Sequence, residues 1–321
     1  MENPVQVDLR TMAGEAAGAL ARLRVDPFFV SNLVGSLDRT QATEQQLTNE
    51  LSNGVRFTSI GDDPIASGQN VLLLNQIQRD DSFAQSSSLL TGQLQVADSA
   101  LGEVVSQLTQ AISLATSANN GTMNATDVQS IANEMLGIVG EVESLANTTY
   151  QGQYIFAGGQ ASTVPFSTST TSPAVTTYQG DGHVNYLDTP NGQRIQMNVP
   201  GDKIFAAGGT NDVFAALNNL VADYASGTVN LVQAEADTKA LTSALNYVSQ
   251  QRVTIDTSIT QLSDASQAAT AEKTQLTAAQ TNLMQADLAQ VATQLSLTKT
   301  QQTALESVIA QLGSGSLFDK L

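Results

Sequence analysis

Few residues in this chain have the types and spacing that chemistry needs. The densest acidic signal is Gly61-Asp62-Asp63-Pro64. Two adjacent carboxylates could begin a site for a hard divalent cation, but such a site takes roughly six to eight oxygens. No third or fourth oxygen or histidine ligand is arranged nearby. An Asp just before a Pro is a helix start, because the carboxylate accepts from orphan N–H groups and Pro has no N–H to leave unsatisfied. Asp62 and Asp63 therefore read as a cap. Asp80-Asp81 reads as a solvated helix face. The single histidine, His183, lies beside Gly182 in a turn-rich segment and reads as solvent-facing. Gly158-Gly159 and Gly208-Gly209 lack the strand–helix context and the lysine of a phosphate cradle, and read as hinges. Cysteine is absent, which excludes disulfides, thiolate metal sites and cysteine catalysis. No nucleophile elbow, P-loop, dinucleotide fingerprint or zinc signature occurs. No catalytic, cofactor-binding or metal-ligating residue emerges, and no cofactor is expected.

The elements that would position such residues carry the stronger signal. Near the N-terminus, Leu33, Leu37, Thr40, Glu44, Leu47 and Leu51 fall at alternating spacings of four and three. Near the C-terminus, Leu288, Val291, Leu295, Thr298, Gln302, Leu305, Ile309 and Leu312 do the same. That is the seam of a coiled coil, and it makes the two ends candidate partners. The apolar members of both stripes are the candidate assembly interface. The first helix is expected from Phe28 to about Gly54, where Asn53-Gly54 supplies a stop. Leu90, Leu94, Ala97, Leu101, Val104, Leu108, Ala111 and Ala115 keep the same rhythm along a long helix until Asn119-Asn120-Gly121 breaks it. Val128 to Leu145 carries a further stripe. Leu241, Leu245, Val248, Ile255, Ile259 and Leu262 carry another, with Arg252 at the intervening position, either setting register or snorkelling from the edge.

Between about 159 and 208 the period changes. Pro165 and Pro173 flank a Ser/Thr run, and Gly180, Gly182, Gly192 and Gly201 punctuate the stretch after it. Ile195, Met197 and Val199 alternate with polar neighbours as a half-buried strand does, after a turn at Pro190-Asn191-Gly192, with Val184 and Tyr186 on the strand before it. The fold class is mainly α with a small β insertion: an elongated rod of long coiled-coil-like helices built from both ends of the sequence, plus a small β-rich middle domain.

Composition bounds the partners. The 321 residues are 41% hydrophobic and 13% charged, with a formal net charge of −17. An acidic protein without clustered Lys and Arg is a poor match for nucleic acid or anionic membrane. No run of about 18 apolar residues marks a membrane span. Residues 1–24 carry charges and no apolar core, so a cleaved secretory signal is not expected.

Leu47 through Pro64, LTNELSNGVRFTSIGDDP, resembles the N-terminal signature of bacterial flagellins and their relatives: Ser52, Gly54, Arg56, Asp62, Asp63 and Pro64 match, while Phe57 replaces the usual aliphatic residue. Tyr150 through Gly158, YQGQYIFAG, with Tyr154, Phe156 and Gly158, is similar to the segment opening the middle domain of the hook-associated protein 3 family. Pro165-Phe166, Tyr178 to Asp181, and Val199 to Phe205 are similar to that family too. So is the ending Ser316 to Leu321, which contains Phe318. Family members begin near the segment matching Arg24-Val25, which yields the expectation that translation starts at position 23, from a non-AUG codon read as Leu23.

The resemblance implies a structural, non-enzymatic part of the bacterial flagellum at the hook–filament junction, outside the cell after flagellar type III export. It implies four partners: the hook-side hook-associated protein, flagellin, copies of the protein itself in a ring, and an export chaperone. It divides the sequence into a poorly ordered extension (1–27), a terminal helical inner-tube region (28–60 with 275–321), a helical rod domain (61–158 with 209–274) and an outward-pointing β-rich outer domain (159–208). A flagellin, the bulk filament subunit, is the alternative.

Overall fold

A computed structural model describes residues 27–169, 174–206 and 208–314. The expected extension, the centre of the Ser/Thr run and Phe318 fall outside the described residues. The protein forms two compact units, residues 1–74 with 277–321 and residues 75–276. Both boundaries fall within helices, α2 (Pro64–Ala118) and α6 (Leu231–Met284), where hydropathy alone places no break.

In the first unit, α1 (Pro27–Asn53) packs on α7 (Leu288–Ser314). The helix expected from Phe28 thus appears with nearly those bounds. Gly54, at φ +68°, ends it in a left-handed conformation that suits glycine. The initial turns of α2 and the last turns of α6 also belong here, where Gln280 donates to Asn70 at 2.8 Å.

In the second unit, the unbroken stripe of α2 is buried from Leu90 to Ala115. It meets Leu241, Ala244, Val248, Ile255 and Leu262 of α6 in one core. Alanines at 97, 111 and 115 on one helix and 244 on the other leave little side-chain bulk between the backbones. Asp80-Asp81, expected on a solvated face, lies instead at this seam. Asp80 is 3% exposed, and Asp81 accepts from Lys273 of α6 at 2.6 Å. Position 80 shares the helix face of Phe83, Ser87 and Leu90, so helical phase overrides residue type. Burial, with Glu272 nearby, pushes the Asp80 carboxyl up.

α3 (Ala125–Ala146) begins at Asn124, whose Oδ1 accepts from the Asp127 N–H at 2.9 Å. α5 (Val213–Ala225) begins at Asp212, which accepts from Ala215 and from Gly208. These two helices pack together.

The β segment consists of three antiparallel pairs: β1 (Thr149–Tyr150) with β2 (Gln153–Tyr154), β3 (Phe166–Thr168) with β4 (Thr176–Tyr178), and β5 (Tyr186–Asp188) with β6 (Arg194–Gln196). A four-residue helix, α4 (Gly201–Ile204), comes next. The strand expected through Val199 stops at Gln196. Asn198 is buried and takes the backbone itself, accepting from Asn185 at 2.7 Å and donating to the His183 carbonyl at 3.1 Å. A side chain thereby replaces the ladder. Sequence reading sets 159–208 apart as an outer domain, yet Phe166, Ile195, Val199, Ile204 and Phe205 are continuous with the helical core of the second unit.

Candidate assembly surface

The seam between α1 and α7 is built from the two terminal stripes. Leu33, Leu37, Thr40 and Glu44 are half-buried and Leu47 is buried; opposite, Val291 and Thr298 are buried while Leu295, Gln302, Leu305 and Ile309 are half-buried. Leu47, Ala286 and Val291 form its core, with Leu295 packed against them. Two expected members differ. Leu51 is 40% and Leu288 48% exposed. Each lies in the terminal turn of its helix, where no further turn covers it. Leu312 lies in α7, with its side chain outside the described residues.

Beside this seam, both segments break their helices together. Val55 and Gln285 form an antiparallel bridge. The Arg56 N–H donates to the Met284 carbonyl at 2.7 Å, and the Ala286 N–H donates to the Gly54 carbonyl at 3.0 Å. Phe57, in place of the usual aliphatic residue of the signature, is buried here. Arg56 lies over the Phe57 ring and pairs with Asp63 at 3.1 Å. Asp63 also accepts from the Ala66 N–H at 2.9 Å, and Pro64 opens α2. Asp62 accepts from the Thr58 and Ser59 N–H groups at 3.0 and 2.9 Å, which hold its carboxyl below the usual range. Ser52 is exposed in the last turn of α1. The acidic pair therefore has two structural duties: Asp63 caps the helix and Asp62 ties the preceding loop. Among the described residues no group of three or more His, Cys, Asp or Glu is placed to hold a metal ion.

The second signature segment also has a packing logic. Phe156 sits edge-on to Phe205, and Phe166 contacts Phe205 and Phe214 at about 5 Å between ring centres. Tyr154 is half-buried in β2. Gly158 has φ +69°, and a Cβ there would collide with the Asp181 carbonyl. Asp181 Oδ1 accepts from the Gly159 N–H at 2.6 Å and the His183 N–H at 3.1 Å, which lowers its pKa. The Tyr178 hydroxyl, 2.9 Å from both the Phe156 and Asp181 carbonyls, completes the clasp. Burial pushes that phenol up to about 12.

The residues that sequence reasoning missed are apolar and open to solvent. Ile60, Ile65 and Leu72 at the entry to α2 are 73%, 77% and 66% exposed. On α7, Leu297 and Val308 are exposed, and with Gln301 and Ala304 between them they form a second row at four-three spacing, one position before the filled row. Their spacing was the available signal, but the stronger stripe beside them masked it. Exposed aliphatic side chains of this kind are candidates for contact with a partner.

Fold and surface together describe a mainly helical protein in which α1 and α7 pack together and leave further apolar side chains open to solvent. The profile of the bacterial flagellin N-terminal helical region matches residues 29–161. The flagellar hook-associated protein 3 of Salmonella typhimurium is 31% identical over 150 residues, covering 46% of this chain and 47% of that protein, so the match spans about half the relative's length. The Escherichia coli protein of the same name is 28% identical over 225 residues, covering 68% and 69%. The crystal structure of hook-associated protein 3 from Legionella pneumophila shares the fold, with a TM-score of 0.58 at 13% identity, over 66% of this chain and 98% of that one. Over part of its length the chain is thus similar to the flagellin N-terminal helical region and to flagellar hook-associated protein 3.

Proposed function

We propose that this protein is a structural component of the bacterial flagellum that joins hook to filament. Its terminal helices assemble with copies of itself in a ring, with the hook-side hook-associated protein on one side and flagellin on the other. It reaches that place outside the cell by flagellar type III export, with a chaperone shielding its apolar C-terminal stripe, and it catalyses no reaction. The resemblance at Tyr150–Gly158 and the curated relatives support the junction over the bulk filament.

One observation carries the assembly reading. The α1–α7 seam is mostly half-buried, while Ile65, Leu72 and Leu297 remain open. Fixing backbone costs about 1–2 kcal/mol per residue, and a fully buried Leu returns roughly 1.5–3 kcal/mol. A seam that buries its residues only in part recovers less than that, and neighbouring subunits supply the rest. Folding of the ends and assembly are thereby coupled.

The test is the position and abundance of the protein in sheared, purified flagella, read by quantitative mass spectrometry and immunogold labelling. A trace amount confined to the hook–filament boundary is expected. Abundance along the whole filament would make it a flagellin. Absence from the organelle would refute both.

A further inference from the structure

Three Asn-Gly pairs occur in the sequence: Asn53-Gly54, Asn120-Gly121 and Asn191-Gly192. All three asparagines are exposed and all three glycines have positive φ, so neither property separates them. Their glycine N–H groups do. Gly54 donates to the Glu50 carbonyl at 2.9 Å, continuing the ladder of α1. Gly192 donates to the Thr189 carbonyl at 2.9 Å, closing the turn between β5 and β6. Gly121, in the connection between α2 and α3, makes no hydrogen bond among the described residues.

We infer that Asn120 is a site of spontaneous backbone modification, converting to aspartate and isoaspartate while Asn53 and Asn191 are protected by the fold. The Gly121 nitrogen loses its proton to base and attacks the Asn120 Cγ. A new bond between that nitrogen and Cγ closes a five-membered succinimide, the bond from Cγ to Nδ2 breaks, and ammonia leaves after taking up a proton. Water then opens the ring at either carbonyl, giving aspartate or isoaspartate. The steps are hydrolytic throughout and consume no oxidant or reductant. At Gly54 and Gly192 the attacking nitrogen must first give up a backbone hydrogen bond, which slows the reaction by about tenfold.

The location gives the change a consequence. Asn119, the preceding residue, donates to the Thr238 hydroxyl at 3.3 Å and accepts from the Tyr224 hydroxyl at 3.0 Å. That is where α2, α5 and α6 meet. Conversion of Asn120 adds a negative charge there, and the isoaspartate product adds a backbone methylene beside Asn119.

Full-length protein is incubated at pH 6 and pH 9, native and in denaturant, and the three sites are followed by peptide mapping with mass spectrometry. Native protein is expected to gain the mass increment of deamidation at Asn120 first, faster at pH 9, with Asn53 and Asn191 about tenfold slower. In denaturant the three rates converge. Asn120→Gln abolishes the native signal. Native conversion of Asn53 or Asn191 at the rate of Asn120, or no native conversion at Asn120, would overturn the inference.

Discussion

Arg252 lies across Asp98 in two parallel hydrogen bonds, Nε to Oδ1 at 2.8 Å and Nη2 to Oδ2 at 3.1 Å. The pair bridges α6 and α2 in the middle of their largely apolar seam. Gly102, one turn along α2, lies beside the guanidinium: a Cβ there would meet it at 3.5 Å, an ordinary van der Waals contact. Of the two readings open for Arg252 in the sequence, this bidentate pair across the helices favours the register-setting one. Both antiparallel helices exceed 50 residues, so apolar stripes alone could slide by a heptad, and a bidentate pair penalises such a slip.

Arg252→Ala and Asp98→Ala are each expected to cost about 1–2 kcal/mol, and the double substitution little more than either alone, because each partner's loss strands the other. Urea denaturation of the four proteins in the cycle measures the coupling. Additive losses would show that the pair does not set the register.

Gly158→Ala is expected to cost about 2–4 kcal/mol, since it combines a left-handed φ with a collision at the Asp181 carbonyl. Gly192→Ala, with a similar φ but open space around its Cβ, is expected to cost about 1 kcal/mol. Hydrogen exchange over 154–183 reads the difference. Equal protection in the two variants would mean that the clasp around Asp181 does not hold the entry to the β segment.

Some of this architecture is legible in the sequence because helical phase is unambiguous there. The α2 stripe from Leu90 to Ala115 keeps its spacing without a fault, and each residue is buried. Asp63 before Pro64 reads correctly as a cap because its chemistry is local. Asp80 is illegible because residue type says surface while phase says seam, and tertiary packing prevails. The strand through Val199 fails because one side chain, Asn198, takes over the backbone hydrogen bonding. The second row on α7, Leu297 with Val308, is illegible because its members also fit the polar flank of the filled row. The unit boundaries leave no mark in composition, since α2 and α6 continue through them as single helices.

Stability of the second unit should respond to pH through Asp223. Burial, then the neighbouring Asp237 carboxyl, pushes Asp223 up to about 6. Its Oδ2 is buried with no hydrogen-bond donor, while Asp237 takes Gln233 Nε2 at 2.9 Å. A folded-state pKa raised above the ordinary 3.8 means that the native state holds the proton more tightly. The contribution is fully present below about pH 4 and is lost as pH rises through about 6. Asp223→Asn is therefore expected to stabilise the protein by about 1 kcal/mol at pH 7.5 and to change little at pH 4. Thermal melts of both proteins across that range test it. A uniform offset at every pH would assign the effect to packing rather than to the proton.

The two rows of α7 should separate folding from assembly. Val291 is buried in the α1–α7 core, so Val291→Asp strands a charge there and is expected to release the helix pair, which hydrogen exchange over α1 detects. Leu297 is 61% exposed, and Leu297→Asp should leave that exchange pattern unchanged. If the open row receives a neighbouring subunit, Leu297→Asp nonetheless abolishes incorporation into flagella, because the charge must then be desolvated in the contact. Leu297→Met, similar in volume, should incorporate normally. Normal incorporation of Leu297→Asp would show that the open row faces solvent in the assembled structure, and would move the assembly surface to Ile60, Ile65 and Leu72.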